Sequence, residues 1–383
     1  MKDFPPGNGS NDGKGLSTNG VQLAPSMPIP PKPAPSHERA GYKIMDHVEK
    51  FISTPAGEVP RLKTRKSIKD HLTTMATRCG INRHQYKVAP GLYAVGNPTP
   101  ESPVLVTANF KLTFDLLREA VAALDTWILV LDTKGVNVWC AAGKGTFATA
   151  ELVHRIKESQ LEKVVDHKRL ILPQLGATGV TAGAVKKQSG FRVIYGPIRA
   201  NDIPAFLENK NKATPEMRQM SFTLKERLVL TPVEVQITLK PALITALIML
   251  IISGIGPEIF SFSAAWSRGL TAMAAMACGI FSGAVLAPAL LPHIPVREFA
   301  LKGVITGVVT SLAHILTLEG IGFVGANALF WFTIAVSSFL AMNFTGTTPF
   351  TSPSGVEKEM KRYIPFQLAS LVLAAGLWIW SGF

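Results

Sequence analysis

Apolar and polar positions follow two different patterns along this chain of 383 residues. From about Tyr42 to Val235, short apolar runs alternate with amphipathic stretches. Val104-Leu105-Val106-Thr107 and Trp127-Ile128-Leu129-Val130-Leu131 are continuous apolar runs of strand length, the pattern of strands covered on both faces. Between them, Thr113–Leu124 sets Leu116, Leu117, Ala120 and Leu124 at helical spacing. A helix around Thr149–Ser159 follows, then strands at Arg169-Leu170-Ile171-Leu172 and Arg192-Val193-Ile194-Tyr195. Strands alternating with helices predict an α/β domain with a mostly parallel sheet, whose ligands bind beyond the carboxyl ends of the strands. Asp132–Lys144, Pro173–Thr181 and Gly196–Ala200 are expected on that edge.

After Lys240 the pattern changes. Five apolar stretches, at about 239–256, 268–291, 299–318, 322–344 and 363–381, approach the roughly 20 residues needed to cross a bilayer, and no charge stands at the centre of any. The chain thus divides into a tail (1–40), an α/β domain (41–235) and an all-α five-helix transmembrane domain (236–383). Lys225, Arg227 and Lys240 precede the first stretch, Arg297 and Lys302 link the second to the third, and Lys358, Lys361 and Arg362 link the fourth to the fifth. The opposite links carry Glu258 and Glu319, with Arg268 as the exception. The positive-inside rule predicts a multi-pass protein of the inner (cytoplasmic) membrane, in contact with membrane lipid, with the α/β domain in the cytoplasm and the C-terminus outside. His314 lies well inside a stretch, where a functional role competes with a hydrogen-bonded structural one.

Composition sharpens this division. From Lys240 onward there are 7 Lys/Arg and 5 Asp/Glu, so the part before it carries +11 of the formal net charge of +13. A basic soluble half suits anionic partners or the anionic leaflet, or is simply a solvated surface. No aromatic-interleaved basic stripe argues for nucleic acid. Residues 1 to about 40 are rich in Pro, Gly, Ser and Asn and lack a signal-peptide apolar core, which predicts a disordered tail. The cysteines, Cys79, Cys140 and Cys278, are far apart, which excludes a disulfide scaffold, a Cys-ligated structural zinc and an internal four-Cys iron–sulfur cluster. Cys278 suits packing, and Cys79 a structural or incidental place.

Asn137-Val138-Trp139-Cys140-Ala141-Ala142-Gly143-Lys144 is the most unusual stretch of the α/β half. A P-loop would need Gly where Val138 stands and Ser or Thr where Gly145 stands, which excludes one. Gly143-Lys144-Gly145-Thr146-Phe147-Ala148 fits the dinucleotide fingerprint GxGxxA, with Asp166 downstream, but Leu131 ends the strand about a dozen residues too early. That leaves a dinucleotide-binding membrane oxidoreductase as a weak rival. A short Gly/Ala helix could also lie flat over a large cofactor, with the soft Cys140 sulfur toward its metal and Lys144 one turn along. One Cys cannot hold a free ion, so such a metal arrives already chelated. Simple packing of Cys140 is the competing reading.

The stretch Asp132–Phe147, with Tyr86–Pro98 and Pro173–Ala177, resembles the cofactor-capping segment of the corrinoid iron–sulfur protein large subunit. Joined to five apolar stretches, the Asn-Val-Trp-Cys-Ala-Ala-Gly-Lys motif is similar to that of the mercury-methylating corrinoid proteins. The resemblance implies a Rossmann-like domain binding a cobalamin-type corrinoid, and a corrinoid-dependent methyltransferase that passes methyl from cobalt to Hg(II). It implies Cys140 as catalytic residue and lower axial cobalt ligand. The implied cofactor contacts are Thr133, Gly135, Asn137, Val138, Trp139, Cys140, Ala141, Ala142, Gly143, Lys144, Gly145, Thr146, Gln174, Leu175, Gly176, Ala177, Tyr195, Gly196 and Pro197. In this scheme Ala141 and Ala142 allow close approach to the ring. Because Hg(II) is an electrophile, methyl must leave as a carbanion or radical equivalent, and a thiolate donating to cobalt suits that. The implied partners are a ferredoxin-like protein with two four-iron clusters as electron donor and a methylfolate-linked methyl donor. Two alternatives remain: a membrane-bound corrinoid methyl carrier of acetyl-CoA-pathway type, and a mercury or corrinoid transporter.

Overall fold

A computed structural model describes residues 38–39, 42–43, 47–81, 83, 85–348 and 353–383. The expected tail lies outside the described residues, save for Glu38 and Arg39. A seven-stranded sheet is formed by β1 (Val48–Thr54), β2 (Gly57–Leu62), β3 (Gly91–Val95), β4 (Val104–Ala108), β5 (Thr126–Leu131), β6 (Arg169–Leu172) and β7 (Arg192–Tyr195), in the order β1-β2-β3-β5-β4-β6-β7. The four strands expected from the apolar runs form its parallel part: β5, β4, β6 and β7 pair in parallel. The β1–β2 hairpin and the antiparallel β3, which pairs with β5, make the whole sheet mixed. The α/β class stands, and the Rossmann-like expectation reduces to this mixed sheet with a parallel part.

Every residue of β3, β4 and β5 is buried, because helices cover both faces. On one face, α3 (Val138–Gly143), α4 (Thr149–Glu158) and α5 (Ala182–Ser189) contribute Ala141, Leu152, Ile156 and Val185 to the core. On the other, α2 (Lys111–Ala120) and α6 (Ile203–Glu208) contribute Phe114, Leu117 and Phe206. Helix α1 (Ile68–Arg78) begins with a Ser67/Asp70 capping box and joins α2 through charge: Asp70 accepts from Lys111 Nζ at 2.9 Å and from Arg118 Nη2 at 3.0 Å. In the parallel part, β5 lies on one side of β4 and β6 on the other. The loops after β4 and β6 therefore diverge and open a crevice at the carboxyl edge.

Beyond α7 (Leu224–Leu228) come five apolar helices: α8 (Thr231–Ser253), α9 (Phe262–Phe281), α10 (Phe299–Ile315), α11 (Phe323–Phe344) and α12 (Pro353–Trp380). Among the described residues, four segments are long and apolar enough to cross a membrane: Leu224–Ser253, Phe262–Ala289, Phe323–Phe344 and Ser354–Trp380. The third of the five expected stretches forms the shorter apolar helix α10. The 17 residues of α10 reach about 25 Å at ~1.5 Å per residue, short of the ~30 Å apolar core of a bilayer.

The helices nevertheless alternate in direction. Arg268, near the start of α9, donates to Ser253 O at 2.9 Å and Ile255 O at 3.3 Å, to Ser381 Oγ at 3.0 Å and to Trp378 O. The C-terminal ends of α8 and α12 thus meet at one cation, which suits their carbonyl dipoles. That also accounts for the exceptional charge at position 268. Leu318–Gly325, between α10 and α11, lines a cavity with Arg268, Trp378 and Trp380 at the same end. At the opposite end Arg227 donates to Pro288 O at 3.2 Å, and Lys302 donates to Leu291 O at 2.8 Å and Ile294 O at 2.7 Å.

Glycines bring α9 and α10 close to α11. A Cβ on Gly283 would stand 2.4 Å from Ser337 O, and one on Gly303 2.5 Å from the same oxygen. Gly279/Gly283 and Gly303/Gly307 are two small-xxx-small pairs facing α11: Gly279 meets Val336 and the other three meet Ser337, whose hydroxyl donates toward Gly303 O at 2.7 Å.

Candidate functional site

The carboxyl edge of the parallel strands is organised by a residue the sequence analysis passed over. Asn109, directly after β4, is fully buried. Its Oδ1 accepts from the backbone N–H of Thr133 at 3.1 Å and of Gly135 at 2.9 Å, and from Thr133 Oγ1 at 2.9 Å. Its Nδ2 donates to Asp132 Oδ1 at 3.0 Å. Asp132 Oδ1 also accepts from the N–H of Lys134 at 3.0 Å, supporting the left-handed backbone of Lys134 (φ 58°) and Gly135 (φ 75°). Glu151 of α4 accepts from the Asp132 N–H at 2.8 Å. Thr133 and Gly135 are buried within this knot, which turns the chain from β5 into α3.

Helix α3 carries the motif. Asn137 is its N-cap: the side-chain oxygen accepts from Cys140 N–H at 2.9 Å, answering a donor that the helix leaves free. Val138, Ala141 and Ala142 face inward and are 5%, 0% and 5% exposed. Cys140, Gly143, Lys144 and Gly145 are exposed, and a Cβ on Gly143 or Gly145 would meet nothing within 4 Å. The two alanines thus allow close approach to the protein's own core: a Cβ on Gly179 would stand 3.0 Å from Ala142 Cα. Residues 140 and 143 share a helical face, so one turn beyond the thiol the helix presents bare backbone. Thr146 is half-buried, with its N–H bonded to Ala141 O at 2.9 Å.

The other two loops close in beneath α3. A Cβ on Gly176 would lie 2.5 Å from the Phe147 ring, so glycine lets the loop after β6 approach it. Gln174 accepts from Arg218 and donates its N–H to Pro197 O at 3.4 Å, joining this loop to the one after β7. Tyr195 donates its hydroxyl to Val180 O at 2.5 Å, and burial pushes its pKa above the usual value. Gly196 and Pro197 are buried, and Ala177 closes a turn onto Gln174 O at 3.1 Å.

In the crevice between β4 and β6 is a cavity of about 480 Å³. Val106 and Thr107, Leu116 of α2, Asn137, Val138 and Trp139 line it, with Leu175, Pro197 and the Arg199–Glu226 ion pair (2.7 Å). Arg199 falls in the Gly196–Ala200 stretch expected at this edge, whereas Glu226 was not anticipated, since it arrives from α7, just before the apolar helices. Trp139 is half-buried against the cavity, and Cys140 is the next residue, on the solvent side.

Among the described residues no group of three or more His, Cys, Asp or Glu could hold a metal ion. The donor set here is one exposed thiol, enough for a single coordination position on a metal already chelated. A flat macrocycle fits such a set, because Gly143 and Gly145 add no side chain beside Cys140 and the exposed Lys144.

Comparison with known proteins places this domain among relatives. Residues 64–207 match the family model described as CO dehydrogenase/acetyl-CoA synthase delta subunit. That span contains α1, α2, every parallel strand and all of α3. The acetyl-CoA decarbonylase/synthase complex subunit gamma of Archaeoglobus fulgidus is 32% identical over 150 residues, which is 37% of this chain and 32% of the relative. The subunits gamma of Methanopyrus kandleri and Methanocaldococcus jannaschii are 35% and 32% identical over 130 and 147 residues, covering 33% and 37% of this chain and 28% and 29% of those proteins. The chain thus spans about a third of the length of the curated relatives it matches.

Proposed function

We propose that the α/β domain is a corrinoid-dependent methyl-transfer module in which Cys140 supplies the lower axial thiolate to cobalt, and that Hg(II) is the methyl acceptor. One observation carries this reading: the thiol of Cys140 is exposed on a pinned helix, and Gly143, one turn on, adds no side chain to its face. The corrinoid supplies a cobalt centre that carries a methyl group and releases it to an acceptor. Asn137 fixes the first turn of α3, and the buried Ala141 and Ala142 stop the helix from rolling. Trp139 packs between the cavity and the thiol-bearing face. A Cys140 thiolate bound to cobalt would donate charge, which would favour transfer of methyl with its bonding electrons to an electrophile such as Hg(II). The loops containing Thr133 and Gly135, Gln174–Ala177 and Tyr195–Pro197 form the floor that holds α3 at this edge. The apolar helices anchor the domain in the cytoplasmic membrane with the sheet on the cytoplasmic side. A ferredoxin-like electron donor docks on the basic soluble half, and a methylfolate-linked donor supplies the methyl.

A second reading, a membrane-bound methyl carrier of acetyl-CoA-pathway type, is favoured by the relatives' names. One experiment separates the two. Cobalamin-loaded protein in membranes, reduced under anoxic conditions with a ferredoxin, is supplied with methylfolate and Hg(II), beside Cys140→Ala. The expected result is methylmercury from the wild type alone, with a changed corrinoid absorption spectrum in Cys140→Ala. A Cys140-dependent spectrum without methylmercury would move the assignment to the carrier. A spectrum that ignores the substitution would overturn the axial-ligand role.

A further inference from the structure

Helix α1 is amphipathic in the reverse sense from a helix packed on a core. Asp70, Thr73 and Thr77 turn toward the protein: Asp70 binds Lys111 and Arg118, Thr73 is hydrogen-bonded to the Tyr86 hydroxyl, and Thr77 is buried. On the opposite side, Ile68, Leu72 and Met75, at i, i+4 and i+7, are 81%, 61% and 64% exposed. The exposed Cys79 extends the stripe by one more turn. A continuous apolar stripe turned outward marks a surface that something apolar covers.

The place where α1 ends indicates what that is. Gly80 follows its C-cap, and a Cβ there would stand 2.4 Å from Gln236 Oε1 on α8. Val235, Ile237 and Leu239 of α8 are 36%, 62% and 58% exposed, an outward apolar surface on the helix that leads into the apolar bundle. The stripe therefore ends, at Cys79, beside the start of the apolar helix α8. Arg65 and Lys69, both exposed, and His71 border it, giving the basic rim that an anionic lipid surface attracts.

We infer that α1 lies in the plane of the membrane interface, with Ile68, Leu72 and Met75 among the acyl chains and the basic residues at the headgroups. The occupant is the lipid surface itself. The α/β domain is then held at two points, the α7–α8 connection and α1. The carboxyl edge that bears Cys140 is thereby held at a fixed tilt to the bilayer.

Nitroxide labels test this on the full chain with Cys79, Cys140 and Cys278 replaced by serine, in single-copy nanodiscs of phosphatidylcholine and phosphatidylglycerol. Labels go on Leu72→Cys and Met75→Cys, with Lys187→Cys on exposed α5 as a water reference and Leu247→Cys on α8 as a bilayer reference. Oxygen concentrates among acyl chains, whereas a nickel chelate stays in water. The expected result is oxygen-preferring relaxation at 72 and 75, as at 247, and nickel-preferring relaxation at 187. Nickel preference at 72 and 75 with oxygen preference at 247 would overturn the inference while leaving the spanning helices in place. Exclusion of both reagents at 72 and 75 would overturn it in favour of cover by protein.

Discussion

A single buried side chain, Asn109, supports the loop from which the thiol-bearing helix starts. Asn109→Ala would strand the Gly135 N–H out of water, at about 1–3 kcal/mol for a buried donor left unpaired, and leave the Thr133 N–H to Leu131 O. The expected outcome is a loss of about 1–3 kcal/mol, read as a lowered thermal midpoint in detergent, with faster alkylation of Cys140 as α3 loosens. Nothing near Asn109 in sequence announces this role, because its partners stand 23 to 26 residues away. The cysteine motif was legible for the opposite reason: the cap, the thiol and the bare turn fall within eight consecutive residues. His47 gives a second test at this scale. It is buried edge-on against Phe114, 5.2 Å between ring centres. Burial above all, then Lys111, Arg118 and Lys63 against the opposing pull of Asp70, hold its pKa well below the usual 6.5. The folded imidazole is neutral while the unfolded chain takes up a proton near 6.5. Stability is therefore full above that value and falls as the pH drops below it, by about 1.4 kcal/mol per pH unit. Asp70 adds a loss further into acid. Burial raises its pKa, but the Ser67 N–H, Lys111 and Arg118 outweigh this and hold it far below 3.8, so its contribution fades only below that value. Melting curves from about pH 7 to about pH 5 should show the steeper slope in the wild type and a flatter one in His47→Phe.

At the scale of elements, close approach between helices carries the apolar helical part. Gly303→Leu would drive a side chain into Ser337 O, only 2.5 Å from where its Cβ belongs, and force α10 away from α11. The expected outcome is a lowered thermal midpoint in detergent and loss of protection from proteolysis. Gly376→Ala on α12 is the matched comparison, since nothing lies within 4 Å of the added Cβ. It should be neutral or stabilising by up to about 1 kcal/mol, the ordinary helix preference for Ala over Gly. Elements were legible in proportion to how uniformly they are surrounded. The parallel strands, covered on both faces, read as unbroken apolar runs. Hairpin β1–β2 lies at the sheet edge with no residue of β1 and only part of β2 buried, and its mixed residues gave no such run. Helix α1 escaped notice because its apolar positions point away from the domain. The shortness of α10 was hidden by Leu316 and Leu318, which extend the apolar run after the helix has ended.

At the scale of the whole molecule, the division into a basic α/β half and an apolar helical half was visible in the charge count alone. How the halves connect was not, because the joining contacts, Arg227 to Pro288 and Gly80 against Gln236, link residues distant in sequence. Arg268 likewise joins distant segments, since its Trp378 partner lies 110 residues further along the chain. That separation sets an order of events during biosynthesis. When α9 leaves the ribosome, the carbonyls of α8 are already there to receive the guanidinium, but the acceptors on the last helix have not been made. The bundle stays an open cradle throughout translation of α10 and α11, and closes only when the final helix brings Trp378 and Ser381 alongside. A chain truncated before Trp378 should therefore accumulate as an unclosed, protease-sensitive form, as pulse-labelling would reveal. Residues 378–381 act as the clasp that fastens α12 to α8 and α9.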